Sequence, residues 1–149
     1  MPHYDLLVIG TGPAGQKAAI QAAKLGKKVG ILERKTVLGG VCINTGTIPS
    51  KSLREAVLYL SGFRQRSIYG GEYRLKKTIT IEDLAFRANH VIKHEIQIVQ
   101  QQMARNQVDM YFGTASFLNP HRLQIRTSHR TLELTSDFFI IAVGTEPAR

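Results

Sequence analysis

Residues 4–33 read "YDLLVIGTGPAGQKAAIQAAKLGKKVGILE", and this stretch decides the fold. Residues 4–9 are apolar and β-prone, as a strand buried on both faces of a parallel sheet requires. Residues 10–15 read as a turn, and the alanine-rich residues 16–25 predict a helix. Gly26 stands where a helix C-terminal cap belongs. Residues 27–33 predict a second strand. Strand, tight turn, helix and strand in that order form a βαβ unit with a right-handed crossover.

The turn "GTGPAG" fits G-x-G-x-x-G at Gly10, Gly12 and Gly15. Gly10 permits the tight turn, Gly12 lets a phosphate approach the backbone, and Gly15 lets helix and strand pack closely. The N–H groups at the helix start, aligned with its dipole, suit a pyrophosphate. Glu33 closes the next strand, where a carboxylate can accept hydrogen bonds from ribose hydroxyls. Ala18, Ala19, Ala22 and Ala23 let the helix lie close on the sheet. A carboxylate at position 33 repels a 2′-phosphate and disfavours NADP here, although Arg34 and Lys35 soften that argument. The βαβ unit alone does not choose between FAD and NAD.

Outward from this unit, Pro49 suits the first turn of a second helix, with Leu53, Ala56, Val57 and Leu60 on one face. Residues 62–78 read as a surface loop. Thr80 can cap a long helix over residues 81–106, whose apolar positions Leu84, Ala88, Val91, Ile92, Ile96, Val99 and Met103 recur at threes and fours. Residues 108–112 predict a strand, 122–126 and 131–134 a hairpin around "TSHR", and 138–143 another buried strand. The fold class is therefore α/β: a Rossmann-like domain with a central parallel sheet, flanking helices and a β-hairpin or meander.

The chain has 149 residues, enough for one domain with a real core. Its longest apolar runs are too short to span a bilayer, and the early strand leaves no room for a signal peptide. One cysteine cannot close an internal disulfide, so the cytoplasm is the expected compartment. The net charge of +9 invites nucleic acid, but the basic residues are scattered and tryptophan is absent. No nucleic-acid or membrane partner is expected. His3, His90, His94, His121 and His129 show no metal-ligand pattern, and no metal is expected.

The single cysteine lies in "GGVCINTGTIPSK", residues 39–51. A dithiol relay stores two electrons by making and breaking an S–S bond, so it needs both sulfurs. Here Cys42 is followed by Thr47, whose hydroxyl can form hydrogen bonds but cannot take part in that exchange.

Together "VIGTGPAG", "ILERKTVLGGVCINTGTIPSK" and "FFIIAVGTEP" resemble the FAD-binding domain of the pyridine nucleotide–disulfide oxidoreductase superfamily. Disulfide-using members carry a second cysteine where Thr47 stands. The pattern with threonine is similar to the soluble, Si-specific flavin-dependent pyridine nucleotide transhydrogenases. The resemblance covers essentially residues 1–149 and implies the first segment of a FAD-binding domain, with NAD(P)-binding and dimerisation domains elsewhere.

The resemblance implies roles residue by residue. Gly10, Gly12, Pro13, Ala14 and Gly15 would cradle the FAD pyrophosphate, and Glu33, with Arg34 beside it, would bind the adenosine ribose. Gly39, Gly40 and Cys42 would bring backbone near the pyrophosphate and flavin. Thr47 would sit beside the isoalloxazine and Lys51 near flavin N5, which makes Lys51, Thr47 and Cys42 the expected catalytic set. The backbone of Gly113, Thr114 and Ala115 would contact adenine, while Ala142, Gly144 and Thr145 would close the crevice.

The implied activity is hydride transfer between NADPH and NAD through FAD in a homodimer, with this chain inactive alone. A dihydrolipoamide dehydrogenase-like reductase with another acceptor, or a non-catalytic nucleotide-binding module, are the alternatives. Plainer readings also stand: Cys42 as packing, Thr47 as a helix-start residue, Lys51 as a solvated lysine.

Overall fold

The computed structural model describes residues 1–73, 75–128 and 130–146. The βαβ unit forms as its residues dictate, with β1 (His3–Ile9), α1 (Pro13–Lys24) and β2 (Val29–Glu33). β1 and β2 are parallel, with Leu6 opposite Val29 and Ile9 opposite Leu32. Gly26 follows α1 at φ +77°, a left-handed conformation that glycine adopts without a Cβ penalty. α1 starts at Pro13, inside the expected turn. A proline at the first helical position has its φ preset and forfeits only an N–H that lacks a helical acceptor.

The chain continues through α2 (Gly40–Asn44), α3 (Thr47–Leu60), α4 (Arg66–Tyr69) and α5 (Ile81–Arg105). Four strands follow: β3 (Asp109–Phe112), β4 (Thr114–Asn119), β5 (Arg122–Arg126) and β6 (Thr131–Ile141). At the start of α5 the Asp83 amide donates to the Thr80 hydroxyl, and the Thr80 amide donates to the Asp83 carboxylate at 2.9 Å. Lys76 Nζ also donates to Asp83; this ammonium first, then the Thr80 amide, holds the Asp83 carboxyl below its usual range.

All six strands form one sheet in the order β3-β2-β1-β6-β5-β4. β3, β2, β1 and β6 run parallel, and β6, β5 and β4 continue as an antiparallel meander. One face of the sheet packs Val8, Val29 and Ile31 with Ala19 of α1, Ile43 of α2 and Val99 and Met103 of α5. On the other, Tyr4, Leu7 and Leu32 pack with Leu123, Ile125 and Leu134 of the meander.

Several expectations are corrected. The strands expected at 131–134 and 138–143 are one strand, β6, which pairs with β5 over residues 131–135 and with β1 over residues 135–141. The polar Thr135, Ser136 and Asp137 mark a change of partner, from an antiparallel neighbour to a parallel one, and the chain does not turn there. Nor is its second half fully buried, since Phe138 is 71% and Ile141 65% exposed. β4 lay in an unassigned stretch because most of its residues are exposed, which leaves no alternation to read. On α3 the inward face carries Ser52 and Ala56, while Leu53 and Val57 are exposed. Small side chains there let α3 lie close against α5. The stretch read as loop 62–78 contains the short α4, whose Tyr69 ring stacks on Tyr73. His129 of "TSHR", one of the five histidines, lies outside the described residues.

Across the sheet, one side chain spans two strands. The amides of Asp5 and Leu6 both donate to the Lys28 carbonyl, and this local irregularity places Tyr4 in the same cluster as Leu7. The Tyr4 ring then crosses β2 at Gly30, where a Cβ would meet Leu7 Cδ2 at 2.6 Å and Tyr4 Cε1 at 3.4 Å. Beyond β2, the Tyr4 hydroxyl donates to Asp109 Oδ2 at 2.7 Å and bonds the Tyr111 hydroxyl. Lys28 Nζ sits 5.0 Å from the ring centroid. Burial foremost, then the bonds to Tyr111 and Asp109, pushes the Tyr4 phenol well above its ordinary range.

Tyr4→Phe should therefore destabilise the chain by about 1 kcal/mol at neutral pH, measured by urea denaturation. A phenol whose folded pKa is raised contributes stability that is full below its unfolded value of 10.0 and lost as pH rises beyond it. The Phe variant should lose less stability than the parent between about pH 9 and pH 11.

Candidate functional site

A cleft of about 620 Å³ opens at the carboxyl ends of the parallel strands. It is lined from the turn after β1, the end of β2 with Arg34 and Lys35, the start of α2, the β3–β4 corner at Gly113, and the segment after β6. The chain leaves β1 towards β2 on one side and returns through β6 on the other, so the cleft sits where the strand order reverses. Ligands of open α/β sheets bind at such switch points.

The glycines do different jobs, and the packing distinguishes them. A Cβ on Gly15 would lie 2.0 Å from the Gly10 carbonyl oxygen and 3.3 Å from Val8 Cγ1, so α1 touches the end of β1 with no side chain between. A Cβ on Gly10, at φ +109°, would meet the Ala142 carbonyl at 2.3 Å, where β6 leaves the sheet. A Cβ on Gly12 would meet nothing within 4 Å, and Gly12 lines the cleft. That open space above the N-terminus of α1 fits a pyrophosphate.

The second glycine pair forms the neighbouring wall. Gly39 is buried in the left-handed conformation at φ +98°, and Gly40, at φ +60°, would place a Cβ 3.1 Å from Gly12 Cα. Asn44 fixes this corner, its Nδ2 donating to the carbonyls of Leu38 at 2.8 Å and Gly40 at 2.9 Å.

The expected residues divide into two groups. Gly10, Gly12, Pro13, Glu33, Arg34, Gly40, Cys42, Gly113, Thr114, Ala115, Ala142, Gly144 and Thr145 line one cleft. Gly15 and Gly39 are buried beneath it, and Ala14 is exposed on α1 outside the lining. Cys42 is half-buried on α2, whereas Thr47 opens α3 and Lys51 follows one turn later, both exposed and outside the lining. The structure thus brings most of the expected nucleotide-binding residues to one cleft and leaves two of the three expected catalytic residues on the next helix, outside its lining.

Sequence reasoning missed Thr11, Asn44, Thr45 and Glu146. Arg34 Nη2 meets Glu146 Oε1 at 2.7 Å across the cleft, a pair of solvated groups with a small energetic effect. Asn44 had a local signal, since an asparagine just past paired glycines is suited to fixing a tight backbone turn. Glu146 had none, because it meets Arg34 only in the fold. Among the described residues no group of three or more histidine, cysteine or acidic side chains could hold a metal ion. None of the helices there is long and apolar enough to cross a membrane.

The model of the pyridine nucleotide-disulphide oxidoreductase family matches residues 4–149. A soluble pyridine nucleotide transhydrogenase of Mycobacterium tuberculosis (strain ATCC 25177 / H37Ra) is 54% identical over 100% of this chain and 32% of that protein. One from Pseudomonas aeruginosa (strain LESB58) is 37% identical over 99% of the chain and 32% of its own length. The chain thus spans about a third of these relatives. Among solved structures, the Cu(II) complex of the HOCl-induced flavoprotein disulfide reductase RclA from Escherichia coli superposes with a TM-score of 0.82 at 26% identity, covering 100% of this chain and 30% of that one.

Two substitutions separate fold from site. Gly15→Ala should destabilise the chain by about 2 kcal/mol or more, because the new methyl meets backbone that cannot swing aside. Gly12→Ala should stay within about 1 kcal/mol of the parent yet weaken dinucleotide binding at least tenfold, read by urea denaturation and isothermal titration.

Proposed function

This chain belongs to the pyridine nucleotide-disulphide oxidoreductase family, and we propose that it is the first segment of the FAD-binding domain of a transhydrogenase. The reaction is hydride transfer between NADPH and NAD, of the Si-specific kind, without a redox disulfide. One observation carries the reading: Cys42 reaches the cleft with no second sulfur among the described lining residues, and in the family pattern Thr47 takes the position of the second cysteine. A family scaffold without that sulfur pair has no thiol exit for electrons.

FAD, when bound, supplies an acceptor and donor of hydride. The chain's own residues bind and orient. Amides at the start of α1 hold the pyrophosphate, with Gly12 permitting the close approach. Glu33 accepts from the adenosine ribose, while the backbone of Gly113, Thr114 and Ala115 meets adenine. Gly39 and Gly40 keep the wall of the cleft free of side chains. Lys51 would supply a positive charge and Thr47 a hydroxyl to the flavin end of the cofactor.

Lys51 and Thr47 stand outside the described cleft, so the flavin end is proposed to extend towards α3. The exposed Phe138, Ile141 and Val143 at the end of β6 suit a covering from further chain. A later FAD-domain segment, an NAD(P)-binding domain and a dimerisation domain would complete a cytoplasmic homodimer, and this segment alone would not transfer hydride.

The purified chain mixed with FAD should show a perturbed flavin absorption envelope, and flavin that separates from the protein on a desalting column counts against the site. The corresponding long protein, given NADPH and the thionicotinamide analogue of NAD, should form the reduced analogue. Failure to do so while reducing another acceptor would reassign the enzyme to a reductase of the dihydrolipoamide dehydrogenase type.

A further inference from the structure

Beneath the cleft lies a polar side chain that the dinucleotide reading does not use. Thr11 is 2% exposed, the most buried polar residue of the turn after β1. Its hydroxyl donates to Glu33 Oε2, and its amide donates to the same oxygen at 3.2 Å. That hydroxyl also accepts from the Gly39 amide at 3.2 Å. The Thr11 carbonyl accepts from Gln16 Nε2 at 2.7 Å, which anchors the turn to α1.

A hydroxyl has one proton to give and two lone pairs to accept with. Thr11 spends its proton on Glu33 and accepts from Gly39, joining the phosphate turn, the end of β2 and the entry to α2. The other carboxylate oxygen of Glu33, Oε1, accepts the Lys35 amide at 2.9 Å. These bonds prevent the carboxylate from rotating freely about its last torsion. Glu33 lines the cleft, so an orientation fixed from below is an orientation offered to whatever lies above.

We propose that Thr11 is a positioning residue, which presents Glu33 to the ribose hydroxyls of an adenine dinucleotide through this buried hydroxyl bridge. The assignment rests on the dinucleotide reading above. Serine keeps both bonds of the hydroxyl; valine, of nearly the same shape, keeps neither. Without the hydroxyl bond Glu33 is held by the Thr11 and Lys35 amides alone, so its carboxylate rotates more freely and faces the ribose for a smaller fraction of the time. A ligand without ribose hydroxyls has nothing to lose from that rotation.

The test is isothermal titration of the chain with ADP and with 2′,3′-dideoxy-ADP. Thr11→Val should weaken ADP binding about tenfold, and Thr11→Ser should restore it to within about threefold. Parent and valine variant should bind the dideoxy ligand alike. Equal weakening for both ligands, or failure of serine to rescue, overturns the proposal, since a purely structural role would act on both ligands alike. Thr11→Ala removes the hydroxyl without adding a methyl and serves the same comparison should the valine variant not fold. If the unmodified chain binds neither ADP nor FAD, the dinucleotide reading fails and this assignment fails with it.

Discussion

The approach of α1 to the end of β1 is the constraint on which the rest depends. At Gly15 the separation leaves no space for even one methyl beside the Gly10 carbonyl. Because helix and strand touch there, the first amides of α1 stand directly over the sheet's carboxyl edge. Gly10 in turn fits under the Ala142 carbonyl, so β6 must leave the sheet at one height and in one direction. Two backbone contacts therefore fix the floor and one lip of the cleft before any side chain contributes. The polar bridge through Thr11 then adds Glu33 and Gly39 to the same rigid block.

Much of this was legible in the residues. The βαβ unit, the Gly26 cap and the Thr80 cap follow from local chemistry that needs no tertiary partner. Gly10, Gly12 and Gly15 were legible for a related reason, since glycines at fixed offsets report close backbone approach, whereas most of the other expected cleft residues came from the family resemblance. What could not be read depends on distant partners. Thr135, Ser136 and Asp137 look like a turn until β1 and β5 are known to share one strand. Leu53 and Val57 look inward-facing until α5 is seen against Ser52 and Ala56. Thr11 is a small polar residue in a turn, and only the fold brings Glu33 and Gly39 to its hydroxyl. Lys51 and Thr47 came from the family pattern, and the described cleft does not include their side chains.

The two halves of the sheet rest on different physics. The parallel half is covered on one face by α1, α2 and α5, and its apolar residues run almost without interruption. In the meander half no helix packs extensively on β4 among the described residues, and β5 alternates between buried and more exposed positions. Tyr4 couples the two regimes, because its ring belongs to the meander cluster while its hydroxyl reaches the β3 edge. A substitution at Gly30 would thus disturb packing that neither neighbouring strand reveals alone.

The middle of the sheet joins two strands far apart in sequence. β1 and β6 are neighbours, and His3 Nδ1 lies 3.0 Å from Thr135 Oγ1 across 132 residues of sequence. During synthesis β1 emerges well before β6, and until β6 follows, one edge of β1 is unpaired. Closing so long a loop costs entropy before the central pairing can offset it, which makes that pairing a slow event in folding. Until then β1 presents a row of free amides and carbonyls flanked by Leu6, Leu7 and Val8, an edge open to another chain. The glycine turn at the tip of β1 is therefore shaped early by α1, and the cleft acquires its second lip only when β6 docks.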